Sequence, residues 1–440
     1  VSRIGIVGAG IAGLAAAFRL SAAHDVIAFE REPLAGGKIR SQRVDDGFLF
    51  EWGPSGFLAG AEAVNALVTE LGLATALTPA RAEAKKRYIY WHGRLHQLPS
   101  KPPEALKMTI LSPFGKARAA SELLVRTRGA DDESVDAFMR RRFGREVAER
   151  LAAPALLGIS GGDAATTSMA AMFPRVRENE ALHGSVIRGM MKGPRRSTGL
   201  MSFADGGMQT LTDRLAERLG DRLQRGVGVQ RLEPAGDGWR IVHDGGETLV
   251  DRAIVATPAA AAARIVAGFD DALATRLREI PYAPMRAVGL AFRVADVPAP
   301  LDGFGFLAAR GQGVRLLGAI YTSTIVPEHA PAGMAYLRVL LGGSTDPEIA
   351  TLDADAVKAI VLADVRTVLG IVAPPIAYHE VVWPQAIPQY RLAHPGIIAA
   401  IERLEATHAG FALTGNAYRG LGVGDTVRDA LAVATRIGAA

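Results

Sequence analysis

Gly8, Gly10 and Gly13 stand in GxGxxG spacing, directly after the apolar residues Ile4, Ile6 and Val7 and directly before the run Leu14 to Phe18. That order predicts a strand, a tight turn and a helix. The three glycines do different things. Gly8 permits the turn, Gly10 lets a pyrophosphate approach the backbone, and Gly13 lets helix and strand pack closely. Ile11 and Ala12 open the helix, whose free N–H groups and positive dipole end suit a phosphate. A second apolar strand over 26–29 ends on Glu30, where a carboxylate can accept the hydroxyls of an adenosine ribose. With 49 glycines in 440 residues the GxGxxG alone says little. The series of strand, turn, helix, strand and acid points to a dinucleotide.

Further glycines narrow the choice. Gly36 and Gly37 follow Arg31 and precede Lys38. A glycine pair with a cation suits a second contact with a pyrophosphate, which a simple NAD dehydrogenase does not need; a plain surface turn would look the same. Trp52, Gly53, Pro54 and Ser55 make a rigid loop. Gly415 and Asn416, then Gly422, Val423, Gly424 and Thr426, form another glycine-rich loop that opens a helix over 427–437. Glycine-rich segments so far apart in the chain, gripping one cofactor, suit FAD better than NAD.

The elements that must position these residues fall into three groups. The pattern over 61–77 is helical. Residues 88–98 form a hairpin turning at His92 and Gly93. Helices are expected over 102–111, 113–126, 134–143, 146–157 and 182–191, broken at 158–163, with a mobile loop at 192–199. A helix runs from 206 to 219, and short strands follow over 227–232, 239–242 and 248–250. The strand 253–256, ending at Thr257, returns to the nucleotide-binding sheet. Strands over 286–292, 314–321 and 335–341 suggest a second, mostly antiparallel sheet. Helix 353–369, a helix after His394 and Pro395, and the strand 411–413 complete the pattern. The fold class is therefore α/β: a discontinuous Rossmann-like FAD-binding domain (1–80 with 201–265 and 395–440), an antiparallel-sheet substrate-binding domain (81–100 with 266–394) and a helical domain (101–200).

Composition bounds the chemistry. The chain has no cysteine, so disulfides, thiolate nucleophiles, thiolate metal sites and a cysteine-linked flavin are excluded. At 49% hydrophobic and 22% charged it is an ordinary folded protein, long enough for two or three domains. No signal peptide and no bilayer-spanning run are evident, so the chain is expected in the cytoplasm or peripheral on the inner face of the cell membrane. The net charge of +5 is uneven: residues 101–200 hold 17 Lys and Arg against 11 Asp and Glu. Arg140, Arg141, Arg142 and Arg145 are the densest cluster. A solvated helix face explains it, as does attraction to anionic lipid or an acidic partner. No nucleic-acid motif accompanies it, so no nucleic acid is expected.

In these glycine motifs the chain resembles the flavin amine oxidase superfamily. More narrowly it resembles the protoporphyrinogen IX and coproporphyrinogen III oxidase family. The narrower likeness rests on Lys86-Arg87-Tyr88-Ile89-Tyr90, Gly158-Ile159-Ser160-Gly161-Gly162-Asp163, Gly206-Gly207-Met208-Gln209-Thr210-Leu211, Leu301-Asp302-Gly303-Phe304-Gly305 and Trp383-Pro384-Gln385-Ala386-Ile387-Pro388-Gln389-Tyr390. The resemblance implies noncovalent FAD and three successive two-electron oxidations of a porphyrinogen, with O2 reoxidising the flavin. It also implies a membrane-facing helical domain, and a homodimer is compatible with it. Arg87 matches the position that pairs with a propionate. Phe304, Leu307, Ile320 and Leu340 match pocket walls, Gly158 and Gly161 match close-approach glycines, and Val229 matches a strand facing the adenine. The family often carries an aromatic residue where Leu340 stands. The loop 55–59 leans toward the coproporphyrinogen branch and the stretch 301–305 toward the protoporphyrinogen branch, which is favoured. No catalytic acid or base is expected, since the flavin carries the chemistry. The rivals are a flavin amine oxidase, disfavoured because no lysine occurs between Lys192 and Lys358; a carotenoid-type desaturase; and a non-catalytic lipid or prenyl chaperone of the GDI type.

Overall fold

The computed structural model describes residues 1–44, 47–193, 197 and 199–439, with backbone only at 102 and 103. Pro194, Arg195, Arg196 and Thr198, in the loop expected at 192–199, lie outside the described residues.

A five-stranded parallel sheet is ordered Leu223–Arg225, Asp25–Glu30 (β2), Arg3–Val7 (β1), Arg252–Val255, Phe411–Leu413. Its strands are near-continuous apolar runs because both faces are covered. Ile4, Ile6, Val26, Ala28 and Ile254 point to one side, into a core shared with helix Ile11–Leu20 (α1) and helix Val423–Ala439. Small residues on α1, Ala12, Gly13, Ala15, Ala16 and Ala17, let it lie close to the strands. Val7, Phe29, Ala253 and Val255 point to the other side. There they meet the antiparallel meander Val229–Ala235, Gly238–His243, Gly246–Val250 and helices Ala259–Val266 and His394–Thr407.

A second, seven-stranded sheet is ordered Ala377–Pro388, Tyr282–Arg293, Met334–Gly342, Gly318–Ile320, Gly305–Ala308, Arg87–Trp91, Arg94–Gln97. All neighbours are antiparallel except Gly305–Ala308 with Arg87–Trp91. One face, carrying Val288, Leu290, Phe306, Ala319, Val339 and Leu341, is buried on helix Ala354–Leu369 through Val357, Val361 and Val365. The register puts Arg87, Gly305, Ile320, Arg338 and Gly289 in one row across the opposite face, with Leu307 and Leu340 in the next row.

Several expectations need correction. The helix expected over 146–157 extends through Gly158 to Ser160 and ends at Gly161, which takes φ +63. Gly158 is tolerated inside it because a Cβ there would stand 2.2 Å from Leu307 Cδ2. In place of a helix over 102–111 there is one 3-10 segment, Pro102–Lys107, since consecutive prolines remove backbone donors. The helix expected over 182–191 is two helices, Pro174–His183 and Val186–Lys192, parted by Gly184 at φ +66. The strand expected over 314–321 is only Gly318–Ile320, because the N–H groups of Arg315 and Leu316 go to Asp364 instead of a neighbouring strand. The C-terminal helix begins at Val423, so Gly424 and Thr426 lie within its first turn.

Candidate functional site

The glycine turn has the geometry its spacing implied. Gly8 sits at φ +99, and a Cβ on Gly13 would stand 1.9 Å from Gly8 O. A Cβ on Gly10 would meet nothing within 4 Å, so the backbone there faces open space. No side chain caps the N-terminus of α1, which leaves its first N–H groups to a ligand. Glu30 accepts from Ala9 N at 2.8 Å and Glu32 N at 3.0 Å, and so ties the turn to the end of β2. Arg31 turns outward and pairs with Glu32. Val227 N donates to Glu30 O at 2.8 Å, which brings the start of the meander, with Val229, alongside.

Of the other segments expected to hold a cofactor, the Gly36-Gly37 pair touches this turn. Gly36 N donates to Ala9 O at 2.7 Å, and a Cβ on Gly37 would lie 3.2 Å from Gly10 Cα. Lys38 does not turn back to the glycines. Its Nζ donates to Ala386 O at 2.5 Å and lies 4.8 Å over the Tyr282 ring, and burial pulls its pKa down to about 8. Gly53 packs on Lys38, where a Cβ would meet Lys38 O at 1.9 Å. Trp52 O accepts from Trp383 Nε1 at 3.0 Å, which fastens the 52–55 loop to the second sheet. Gly415 holds φ +131 and faces open space. Gly424 is a packing glycine, since a Cβ would lie 2.9 Å from Ala61 Cβ.

Buried polar atoms without partners show that a polar ligand fits. Among the described residues these include Thr257 Oγ1, Trp52 Nε1, Arg40 Nε and Arg338 Nε. Thr257 stands against Gly8, and the Arg40 guanidinium lies 5.9 Å over the Trp52 ring. Buried polar atoms are normally satisfied. Together with the open backbone at Gly10 and Gly415, these atoms fit the polar groups of a flavin cofactor.

Sequence pattern assigns no site role to four residues here, although Tyr390 closes the stretch 383–390. Arg40 follows the glycine pair by three positions. Tyr390 donates to Asn416 O at 2.7 Å and accepts from Gly420 N at 2.9 Å, holding both ends of the C-terminal loop. Arg338 donates to Ser55 Oγ at 2.7 Å, and burial pulls its pKa down to about 10. Glu51 accepts from Ser41 Oγ at 2.7 Å and Met208 N at 2.8 Å, and burial pushes its pKa up to about 7. The signal that could have found the last two is a charge inside a strand: Arg338 interrupts an apolar run, and Glu51 ends one.

On the sheet face, Phe304, Leu307, Ile320 and Leu340 are half-buried, whereas their opposite-face neighbours Phe306, Ala319, Val339 and Leu341 are buried. Arg87 is exposed, with its guanidinium 5.1 Å over the Phe304 ring. Phe304 and Ile320 pack together near Ile325 and Val326. Leu340 joins Leu157, Met285 and Trp383, and Leu307 lies under Met108 and Val147 with Gly158 against it. Gly161 abuts Met285 and Gly343. Arg87, Phe304 and Ile320 thus form one patch, and Leu307 and Leu340 belong to the adjoining contact with the helical segment.

The arginine cluster at 140–145 is not a free basic face. Arg141 pairs with Glu133 and Glu180, Arg142 with Glu122, Arg140 with Asp136 and Glu149, and Arg145 with Glu149. Acidic residues scattered along the sequence neutralise it on folding.

Comparison with known proteins places this geometry. The family model for flavin containing amine oxidoreductases matches residues 11–438. The mitochondrial protoporphyrinogen oxidase of Nicotiana tabacum is 30% identical, over 96% of this chain and 92% of that protein. The coproporphyrinogen III oxidase of Bacillus subtilis is also 30% identical, over 96% of this chain and 95% of that protein. A crystal structure from Exiguobacterium sp. 255-15 shares the fold with a TM-score of 0.85 at 24% identity, covering 100% of this chain and 99% of that one. The chain belongs to the flavin-containing amine oxidoreductase family, in the company of the protoporphyrinogen and coproporphyrinogen III oxidases.

Proposed function

We propose that the chain holds FAD noncovalently and oxidises protoporphyrinogen IX to protoporphyrin IX in haem biosynthesis, with O2 as acceptor. The observation that carries this reading is the half-buried apolar face, rimmed by Arg87 and bonded through Trp383 and Arg338 to the 52–55 loop beside the glycine turn. A porphyrinogen is a wide apolar disc with anionic propionates, and it needs that combination of flat wall and rim cation. When bound, the flavin supplies a two-electron acceptor. The chain's own residues do the rest. Phe304 and Ile320 hold the disc, with Leu340 at the adjoining contact with the helical segment, Arg87 pairs with a propionate, and Trp383 keeps the flavin-side loop in register with the sheet. No side chain has to act as base, because the flanking pyrroles activate the meso C–H bond.

The test is an assay prepared without oxygen and started by admitting air, run on protoporphyrinogen IX and coproporphyrinogen III in parallel, with porphyrin fluorescence as readout. Faster turnover of protoporphyrinogen IX supports the reading; faster turnover of coproporphyrinogen III reassigns the substrate. Acid precipitation should release a yellow chromophore of FAD's mass, and a colourless protein that cannot be reconstituted sinks the flavin assignment.

The same reading puts the helical segment against an anionic membrane surface. Among the described residues no helix is long and apolar enough to cross a membrane. Phe114 (89% exposed), Met191 (80%), Leu106 and Leu124 instead offer apolar side chains to a surface. Since the arginine cluster is internally paired, these side chains carry the docking. Co-sedimentation with anionic liposomes should therefore persist in salt and weaken in a Phe114→Ser, Leu124→Ser double variant; recovery unaffected by the substitutions overturns the placement.

A further inference from the structure

A positive charge buried without a negative one is expensive to hold, so a buried cation with neutral partners calls for a reason. Arg338 is such a cation. It is 7% exposed, on an otherwise uncharged strand. Its guanidinium donates to Ser55 Oγ at 2.7 Å and Trp52 O at 3.3 Å, both neutral acceptors. Its Nε has no hydrogen-bond partner, and it makes no ion pair among the described residues. Glu51 acts on it electrostatically from the same cavity, but its carboxylate accepts from Ser41 and Met208 and makes no ion pair with Arg338. Glu51, Ser55, Ile320 and Arg338 line one small cavity between the 52–55 loop and the sheet. Arg338 is flanked by Gly289 and Ile320 in register, on the sheet face that is bonded to the 52–55 loop.

We infer that Arg338 presents its buried positive charge to the flavin and favours the electron-rich form of the cofactor. The inference rests on the flavin site proposed above. Oxidation of one porphyrinogen methylene breaks one C–H bond. Both electrons and the hydrogen go to the flavin, and a pyrrole N–H proton leaves to solvent. The flavin has then gained two electrons and one proton, hence one negative charge. A fixed cation in a water-poor site stabilises charge that develops there far better than it would in water. It also needs no reorganisation, because Ser55 and Trp52 already hold it.

The experiment uses full-length Arg338→Met, Arg338→Lys and native protein, each reconstituted with FAD. Three quantities are read: FAD bound per chain, the flavin midpoint potential measured anaerobically against reference dyes, and the Kd of sulfite. Sulfite reports the same effect because its lone pair bonds to the oxidised flavin and leaves the ring negatively charged. Arg338→Met is expected to weaken sulfite binding about tenfold and to lower the potential by about 30 mV, which is tenfold for a two-electron couple. Arg338→Lys should recover most of both. A methionine variant loaded with FAD whose potential and sulfite Kd match the native values overturns the inference. So does a lysine variant as impaired as the methionine one. If the methionine variant cannot be loaded, Arg338→Gln replaces it in the same comparison. Native protein that takes up no FAD would instead defeat the flavin reading, a separate outcome.

Discussion

Arg142 and Arg338 are both buried, at 1% and 7% exposure, in different parts of the molecule. Arg142, in the helical segment, is saturated. It pairs with the Glu122 carboxylate and donates to Val125 O and Gly184 O at 3.0 Å. Glu122 in turn accepts from Ser185 Oγ at 2.6 Å and Val186 N at 2.9 Å, so one ion pair pins three segments together. These bonds hold the Glu122 carboxyl below its usual range in spite of the burial, which pushes the other way. Arg338 has two neutral acceptors and a spare donor. Degree of burial therefore does not separate the two charges; what differs is the partner, a carboxylate for Arg142 and neutral oxygens for Arg338.

The comparison breaks most directly at Arg142. Arg142→Met strands the Glu122 carboxylate inside the protein and should cost about 3–5 kcal/mol, read as a lowered midpoint in urea. Arg338→Met breaks no ion pair, because Arg338 bonds neutral oxygens and Glu51 beside it keeps its bonds from Ser41 and Met208, and should cost far less. Equal losses in the two variants would end the distinction. Glu51 gives a pH test. Its pKa rises from 4.5 to about 7 on folding, so the folded chain holds a proton that the unfolded chain releases. Stability from this group is full below pH 4.5, falls as pH rises to about 7, and is level above that. Glu51→Gln should remove that slope and gain on the native protein at pH 8; an unchanged slope in urea titrations refutes the assignment.

A smaller effect is expected at Tyr390. Tyr390→Phe keeps the ring stacked on His394, 4.1 Å between centroids, but loses the bonds to Asn416 and Gly420. Removing a net contribution of about 0.5–1.5 kcal/mol should weaken FAD roughly two- to tenfold, measured by flavin fluorescence, while the melting temperature of the FAD-free protein stays nearly unchanged. The smallest effect belongs to Arg87, an exposed third arginine. Discounted for solvent screening, its loss in Arg87→Ala is worth about 0.2–1 kcal/mol. That predicts a KM raised a few-fold with FAD content intact; no change in KM would assign Arg87 to the surface.

What the sequence made legible follows the locality of the physics. The turn at Gly8, Gly10 and Gly13 is written in adjacent residues, and each glycine has the surroundings its role requires. The two sheets were visible because apolar runs alternate with turn residues. Strand Ala377–Pro388 was not recognised, because it carries His379, Glu380, Pro384 and Gln385 and gains its place only by pairing with Tyr282–Arg293. The arginine cluster looked cationic because Glu122, Glu133 and Glu180 lie outside its local run. Arg338 and Ser55, 283 positions apart, could not be joined without the fold. Arg87 and Phe304 lie together although 217 positions separate them, whereas Leu307 packs with the helical segment, whose reach across the sheet no local pattern encodes.

The order of strands in the parallel sheet sets a schedule for biosynthesis. Its centre, β1, is synthesised well before its neighbour Arg252–Val255 and the edge strand Phe411–Leu413. The loop held by Tyr390 and the helix that covers α1 come later still. The intervening antiparallel sheet can fold as a unit while the glycine turn waits, its apolar flank uncovered. A chain stalled before residue 411 would therefore present to chaperones the unpaired edge of Arg252–Val255, which the finished protein covers with Phe411–Leu413.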